Sequence, residues 1–138
     1  MFTENYIYIV AGDEMQKLMR LKFPDRETIP FCEDLSKGSY IGFSIDEKFI
    51  NKRSSFWNVS KHEYMEKMRP IINMDLNQNY VLCFGDDECC KANLEFVIGY
   101  LKNSGYEKTI NVQILNEYNL ETQEEYIIVA NKKFMEES

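Results

Sequence analysis

Three short turns collect the residue types that hold small polar ligands: Gly12-Asp13-Glu14, Glu33-Asp34-Leu35-Ser36-Lys37-Gly38 and Gly85-Asp86-Asp87-Glu88. Carboxylate oxygens suit hard cations such as Mg²⁺, and they equally accept the hydroxyls of a substrate. Convergence of Asp13, Asp34 and Asp87 would serve either purpose, although their spacing demands neither and no metal is assigned. A fourth cluster, Arg53-Ser54-Ser55-Phe56-Trp57, sets a guanidinium and two hydroxyls beside the sole tryptophan. Such a set can clamp a carboxylate or phosphate against an aromatic wall. The candidate ligand-binding residues are therefore Gly12, Asp13, Asp34, Ser36, Gly38, Arg53, Gly85 and Asp87.

Each candidate also has an ordinary structural role. Gly and Asp after a strand are what a turn into a capped helix requires, so Asp13 and Asp86 read first as caps. Phe56 and Trp57 read as aromatic anchors holding a helix end to a sheet. His62 is the one histidine, so no Ser-His-Asp order can be argued, and it reads as a surface residue. Cys89 and Cys90 fall in a first helical turn whose dipole lowers a thiol pKa, while Asp86, Asp87 and Glu88 raise it; idle thiols are the simpler reading.

Several chemistries are missing. Neither GxGxxG nor GxxxxGK[ST] occurs, so a dinucleotide cofactor and a P-loop nucleotide have no sequence support, and no cofactor is assigned. The four cysteines, Cys32, Cys83, Cys89 and Cys90, match neither paired CxxC spacing nor a zinc set with His62. With no apolar signal segment and no run of the ~20 apolar residues that span a bilayer, the expectation is a cytoplasmic protein with free thiols and no membrane contact. The 23 acidic residues against 16 basic ones leave a net charge of −7. That repels a phosphate backbone and disfavours non-specific nucleic-acid binding.

The elements that must position these turns follow from periodicity. Tyr6 to Val10 and Tyr80 to Phe84 are unbroken β-branched and aromatic runs, the pattern of strands covered on both faces. Each leads through a Gly-Asp turn into a helix: Met15, Leu18, Met19 and Leu21 recur at helical spacing before Pro24, and Leu94, Val97, Ile98 and Leu101 before Gly105. Between them lie a short strand at 28–32 with Pro30 at a start or edge, a helical stretch at 45–57, and a helix opened by Ser60-Lys61-His62-Glu63 in capping-box spacing. That helix sets Tyr64, Met68, Ile71 and Ile72 on one face, with Pro70 shortening or kinking it. Ile110 to Ile114 alternates as a half-exposed strand, and Tyr126 to Val129 supplies a last strand before a charged tail. The direction of that last strand stays open, because few residues separate it from Ile114.

Strands alternating with helices predict one α/β domain over residues 1–138: a Rossmann-like three-layer sandwich with a mainly parallel sheet of about five strands and helices on both faces. In such a sheet ligands sit beyond the carboxyl ends of the strands, where the three turns would share one edge.

In this order of turns the chain resembles a bacterial family of uncharacterised proteins known as domain of unknown function 1835, over Ile7 to about Ile114. Ile9-Val10-Ala11-Gly12-Asp13-Glu14 is similar to the family's strand and Gly-Asp-Ser turn, with Glu14 in the serine place. Glu33 to Gly38 is similar to its acidic Leu-Ser-x-Gly segment, with Ser39 where proline often follows. Arg53 to Trp57 and Phe84 to Asp87 complete the order. The resemblance implies an α/β fold with a polar strand edge, names no activity, and reads as a stand-alone copy without the C-terminal domain often appended in that family.

Two functions remain in view. The turns with Arg53 form a site for a small phosphorylated ligand or nucleotide, with or without catalysis. Alternatively, the protein is an acidic module or inhibitor docking on a basic protein partner through Asp46-Glu47, Glu117, Glu121 and Glu124-Glu125. A homodimer built on exposed Tyr100, Tyr106 and Tyr118 is a third, weaker reading.

Overall fold

A computed structural model describes residues 5–129; the charged tail lies outside them. Five strands and four helices follow in the order β1 (Tyr6–Val10), α1 (Gly12–Lys22), β2 (Glu27–Pro30), α2 (Glu47–Trp57), α3 (Lys61–Ile72), β3 (Asn79–Phe84), α4 (Glu88–Asn103), β4 (Thr109–Leu115) and β5 (Thr122–Val129). The sheet order is β2-β1-β3-β4-β5. Strands β1 to β4 are parallel, with Val10 opposite Pro30 and Cys83, and Cys83 opposite Gln113.

β5 runs antiparallel to β4 in the longest ladder of the sheet, from Thr109–Val129 to Leu115–Thr122. The sheet is therefore mixed, which corrects the mainly parallel expectation. The reason is local. Asn116 to Glu121 turns back on itself: the Leu120 N–H reaches the Asn116 carbonyl at 2.9 Å, and Leu120 sits at φ 61°. Six residues cannot hold the crossover helix that a parallel strand needs, so the chain returns beside β4.

Alternation of side chains divides the core in two. Ile9, Leu82, Phe84, Ile110 and Val112 face α2, α3 and α4. Val10, Val81, Cys83 and Leu115 face α1 and Leu120. The first face is the larger and is built around Phe96, whose ring lies 5.1 Å from Phe49, 5.5 Å from Tyr40 and 6.1 Å from Phe31.

The helices start where the sequence says, with two exceptions. Ser60 and Glu63 form the reciprocal capping box of α3, and that helix runs two residues past Pro70. Asp46 caps α2, accepting the Phe49 N–H at 2.9 Å. Asp46→Ala should lower stability by about 1 kcal/mol in denaturant unfolding; an unchanged midpoint would contradict that cap. Asp87, not Asp86, caps α4, accepting the Cys90 N–H at 2.7 Å. Asp13 caps nothing: α1 begins at Gly12 after Ala11, with no side-chain cap.

Three aromatic or aliphatic placements differ from expectation. Leu21, put on the buried stripe of α1 by spacing, is 80% exposed because the stripe ends at Met19. Tyr106 is fully buried, its hydroxyl donating to the Gln78 carbonyl at 2.8 Å, and Tyr100 is half-buried. Only Tyr118 of that trio is open, at 87% exposure, so the aromatic dimer surface does not exist as drawn.

Candidate functional site

Beyond the carboxyl ends of β1, β2 and β3 lies a cleft of about 790 Å³. Its floor comes from Ala11 and Gly12 after β1 and from Phe31 to Asp34 after β2. Asp87, Cys89, Cys90 and Asn93 of the β3–α4 junction form one wall, joined by Glu117 from the loop after β4. The other wall is the α2–α3 corner, with Trp57, Val59, His62 and Lys67. The cleft thus spans β2 to β4, three inter-strand steps or about 14 Å.

Of the eight candidate residues, Gly12, Asp13, Asp34 and Asp87 line this cleft. Ser36, Gly38, Arg53 and Gly85 do not line it. Ser36 is exposed and donates its hydroxyl to Asp34 Oδ1 at 2.5 Å. Gly85 lies behind the β3–α4 turn, where an added Cβ would come within 2.9 Å of Glu117 Cγ and 3.3 Å of Cys90 Sγ.

Arg53 is the largest revision. Its side chain is 0% exposed and all five of its N–H donors are spent within the protein. Nε and Nη2 hold the Glu33 carboxylate in a two-pronged pair at 2.8 Å each. The remaining donors bind the carbonyls of Asp34, Lys37 and Ser39 at 3.0, 2.9 and 3.2 Å. A guanidinium so used is a clasp that shapes the 33–39 loop and has nothing left for a ligand. Gly38 belongs to the same clasp: at φ +74° it lets the backbone pass over the guanidinium, where a Cβ would stand 2.9 Å from Arg53 Nη1 and 2.8 Å from the Phe56 ring.

Trp57 also changes role. At 39% exposure it anchors no core; its indole N–H donates to Glu33 Oε1 at 2.9 Å, and the ring presents apolar surface to the cleft. Tyr64 donates its hydroxyl to Glu33 Oε2 at 2.6 Å. Burial pushes the Glu33 carboxyl up, but the hydrogen bonds from Arg53, Tyr64 and the Asp34 N–H, with the Arg53 charge, hold it below the usual carboxylate range. Burial and the adjoining Glu33 push the Tyr64 phenol well up.

Asn93 completes the loop's support. Its Nδ2 donates to the Glu33 carbonyl at 2.6 Å and its Oδ1 accepts the Leu35 N–H at 2.9 Å, so one buried amide holds both sides of the loop backbone. Sequence reading missed Asn93 and the buried role of Glu33. A signal was present for Asn93: it is polar on the stripe of Cys90, Leu94, Val97 and Leu101, the positions α4 buries.

Three thiols line the cleft, and none is activated. Burial first, then the Asp13 charge and hydrogen bond, pushes Cys32 up to about 11; it donates to Asp13 Oδ1 at 3.4 Å. Burial, then Asp34, pushes Cys89 up to about 12, and burial, opposed by a Gly85 backbone hydrogen bond and aided by Asp87, does the same for Cys90. The acidic surroundings outweigh the α4 dipole. Alkylation of Cys32 and Cys89 at pH 8 should run at least about tenfold slower in the folded protein than in denaturant, since the thiolate is the nucleophile. Equal rates would contradict this assignment.

Among the described residues, Asp13, Asp34 and Asp87 do not converge as a ligand set. The donor atoms that lie within 4.8 Å of one another are those of Asp87, Cys90 and Glu117. Burial, the hydrogen bond with Asp87 and the charges of Asp87 and Asp86 raise the Glu117 carboxyl, as expected when two carboxyl groups share a proton. His62 is exposed at the rim.

These features define the class: an α/β protein with a mixed five-stranded sheet and an acidic cleft over its strand ends. Among the described residues, no helix is long and apolar enough to cross a membrane. Comparison with protein-family models, with curated proteins and with solved structures gave no match.

Proposed function

We propose that the protein binds a small molecule in this cleft. The observation carrying the reading is that Gly12 and Asp13 after β1, Asp34 after β2 and Asp87 after β3 all line one cavity. They do so where the strand order reverses, between β1 and β3. We read the sheet as Rossmann-like on that ground, and crevices at such reversals are where open α/β sheets hold ligands. The volume falls in the ordinary range for small-molecule sites. The likeness to domain of unknown function 1835 accords with a polar strand edge of this kind and is carried as part of the proposal.

A phosphorylated ligand or nucleotide has less support here than small-molecule binding in general. That expectation leaned on Arg53, whose donors are consumed, and Lys67 and His62 are the basic residues left in the lining. No reaction is assigned: burial and acidic neighbours push up the thiols of Cys32, Cys89 and Cys90, the nucleophiles that line the cleft among the described residues. The cytoplasmic setting stays an expectation of this reading.

A thermal-shift screen against amines, nucleotides, sugar phosphates and divalent metals tests it. A ligand at about 100 times its Kd adds about 2.7 kcal/mol, and the shift should shrink in Asp87→Asn and in Asp13→Ala, whose exposed side chain supports no helix cap. Hits indifferent to Asp13 and Asp87 would sink the reading. A partner protein captured at low salt and lost at high salt, with the cleft variants binding normally, would favour the acidic docking module, whose Asp46, Glu47, Glu121, Glu124 and Glu125 are all exposed.

A further inference from the structure

We infer that the ligand of this cleft is an organic cation with an apolar body, its ammonium or guanidinium head held by Asp87 and Glu117 and its body laid against Trp57 and Val59. The inference rests on the small-molecule reading above and adds the chemical class.

Charge is the first ground. Seven carboxylates line the cleft against Lys67 and His62. Some are already neutralised: Glu33 by Arg53, Glu66 by Arg69 and, at 4.0 Å, Asp34 by Lys37. Asp13, Asp87 and Glu117 have no cationic partner among the described residues. An anion entering here meets the uncompensated negative charge of three exposed carboxylates, a repulsion that salt weakens but does not reverse in sign. The open N-terminus of α1 does not reverse the sign, because Asp13 and Glu14 occupy its first turn.

Geometry supplies the second ground. Asp87 and Glu117 come from different loops, yet their oxygens meet within 4.8 Å at the β3–β4 end of the cleft. Carboxylates this close repel one another, which raises the Glu117 carboxyl, and a donor head with two or more N–H groups can relieve that repulsion by bridging both.

The far wall gives the third. Trp57 has spent its one polar atom on Glu33, so only ring surface is left to the cleft, and Val59 beside it is 38% exposed. Phe31 lies buried directly beneath the floor, so the cleft is backed there by the apolar core. The span of about 14 Å from the β2 side to the β4 side matches a molecule with a cationic head and an apolar body rather than a bare ion.

The test titrates the purified protein with tryptamine and agmatine, with the neutral alcohol and the carboxylate that share the tryptamine ring, with a sugar phosphate, and with Mg²⁺, Mn²⁺ and Zn²⁺ alone. The cations should bind and raise the melting temperature, and their matched carboxylate should not. Glu117→Gln, at an exposed position, and Asp87→Asn, which retains a helix cap, should each weaken tryptamine at least about tenfold while the unliganded protein melts normally. Preferential binding of the alcohol, the carboxylate or the phosphate at the cleft would overturn the cation and leave the small-molecule reading standing. Binding of a divalent metal alone, lost with Cys90→Ala, would overturn it in favour of a metal centre. A panel in which no compound of any charge binds would overturn both.

Discussion

Arg53→Met is expected to cost about 3–5 kcal/mol, a large share of the stability of a domain this size. The Glu33–Arg53 side chains are 1% and 0% exposed, so removing the guanidinium leaves a carboxylate buried without its counter-charge. It also strips the carbonyls of Asp34, Lys37 and Ser39 of their donors. Adding Glu33→Gln to Arg53→Met should recover part of the loss, because a neutral amide needs no counter-charge and its one carbonyl oxygen can still accept from Tyr64 or from Trp57. Chemical denaturation of the two single variants and the double variant would measure this coupling. If Arg53→Met lost less than about 1 kcal/mol, the clasp would be no stronger than a surface pair.

The same pair sets a direction for acid sensitivity. The folded Glu33 pKa lies below its ordinary value of 4.5. Its contribution is therefore fully present above that value and is lost as pH falls below it, through the folded pKa. Acid unfolding of the wild type should accordingly be steeper below pH 4.5 than that of the double variant.

Phe96→Ala is expected to cost about 3–5 kcal/mol. The ring is fully buried and touches Phe31, Tyr40, Phe43, Phe49 and Tyr100. These neighbours come from α2, α4 and the loops after β2, so no single element can close over the void. A loss under about 1.5 kcal/mol, the range of a conservative core swap, would show that the aromatic cluster collapses freely.

How far the sequence could be read depended on whether a residue's partner lay nearby in the chain. β1 and β3 were legible because a strand buried on both faces must be apolar throughout, and the α3 capping box because its two members are three residues apart. Asp13, Asp34 and Asp87 were legible as occupants of one edge because turn chemistry and the parallel order of β1, β2 and β3 suffice to place them. Arg53 was not. Its partner Glu33 lies twenty residues away, and the pairing that turns a free guanidinium into a buried clasp is long-range. Trp57 failed for the complementary reason: an aromatic residue usually enters the core, but Arg53 and Phe49 occupy the buried side of α2. Glu117 was read only as surface charge, since its meeting with Asp87 depends on the turn that reverses β5.

The cleft over β1, β2 and β3 is where we propose that this protein holds its ligand. Amide chemical-shift mapping during titration with tryptamine tests that location directly. The largest shifts should fall at Gly12, Asp13, Asp34, Asp87 and Cys89, with the Trp57 indole N–H moving alongside them. Shifts concentrated instead on Thr122–Val129 or on the exposed side of α2, with these amides still, would contradict it.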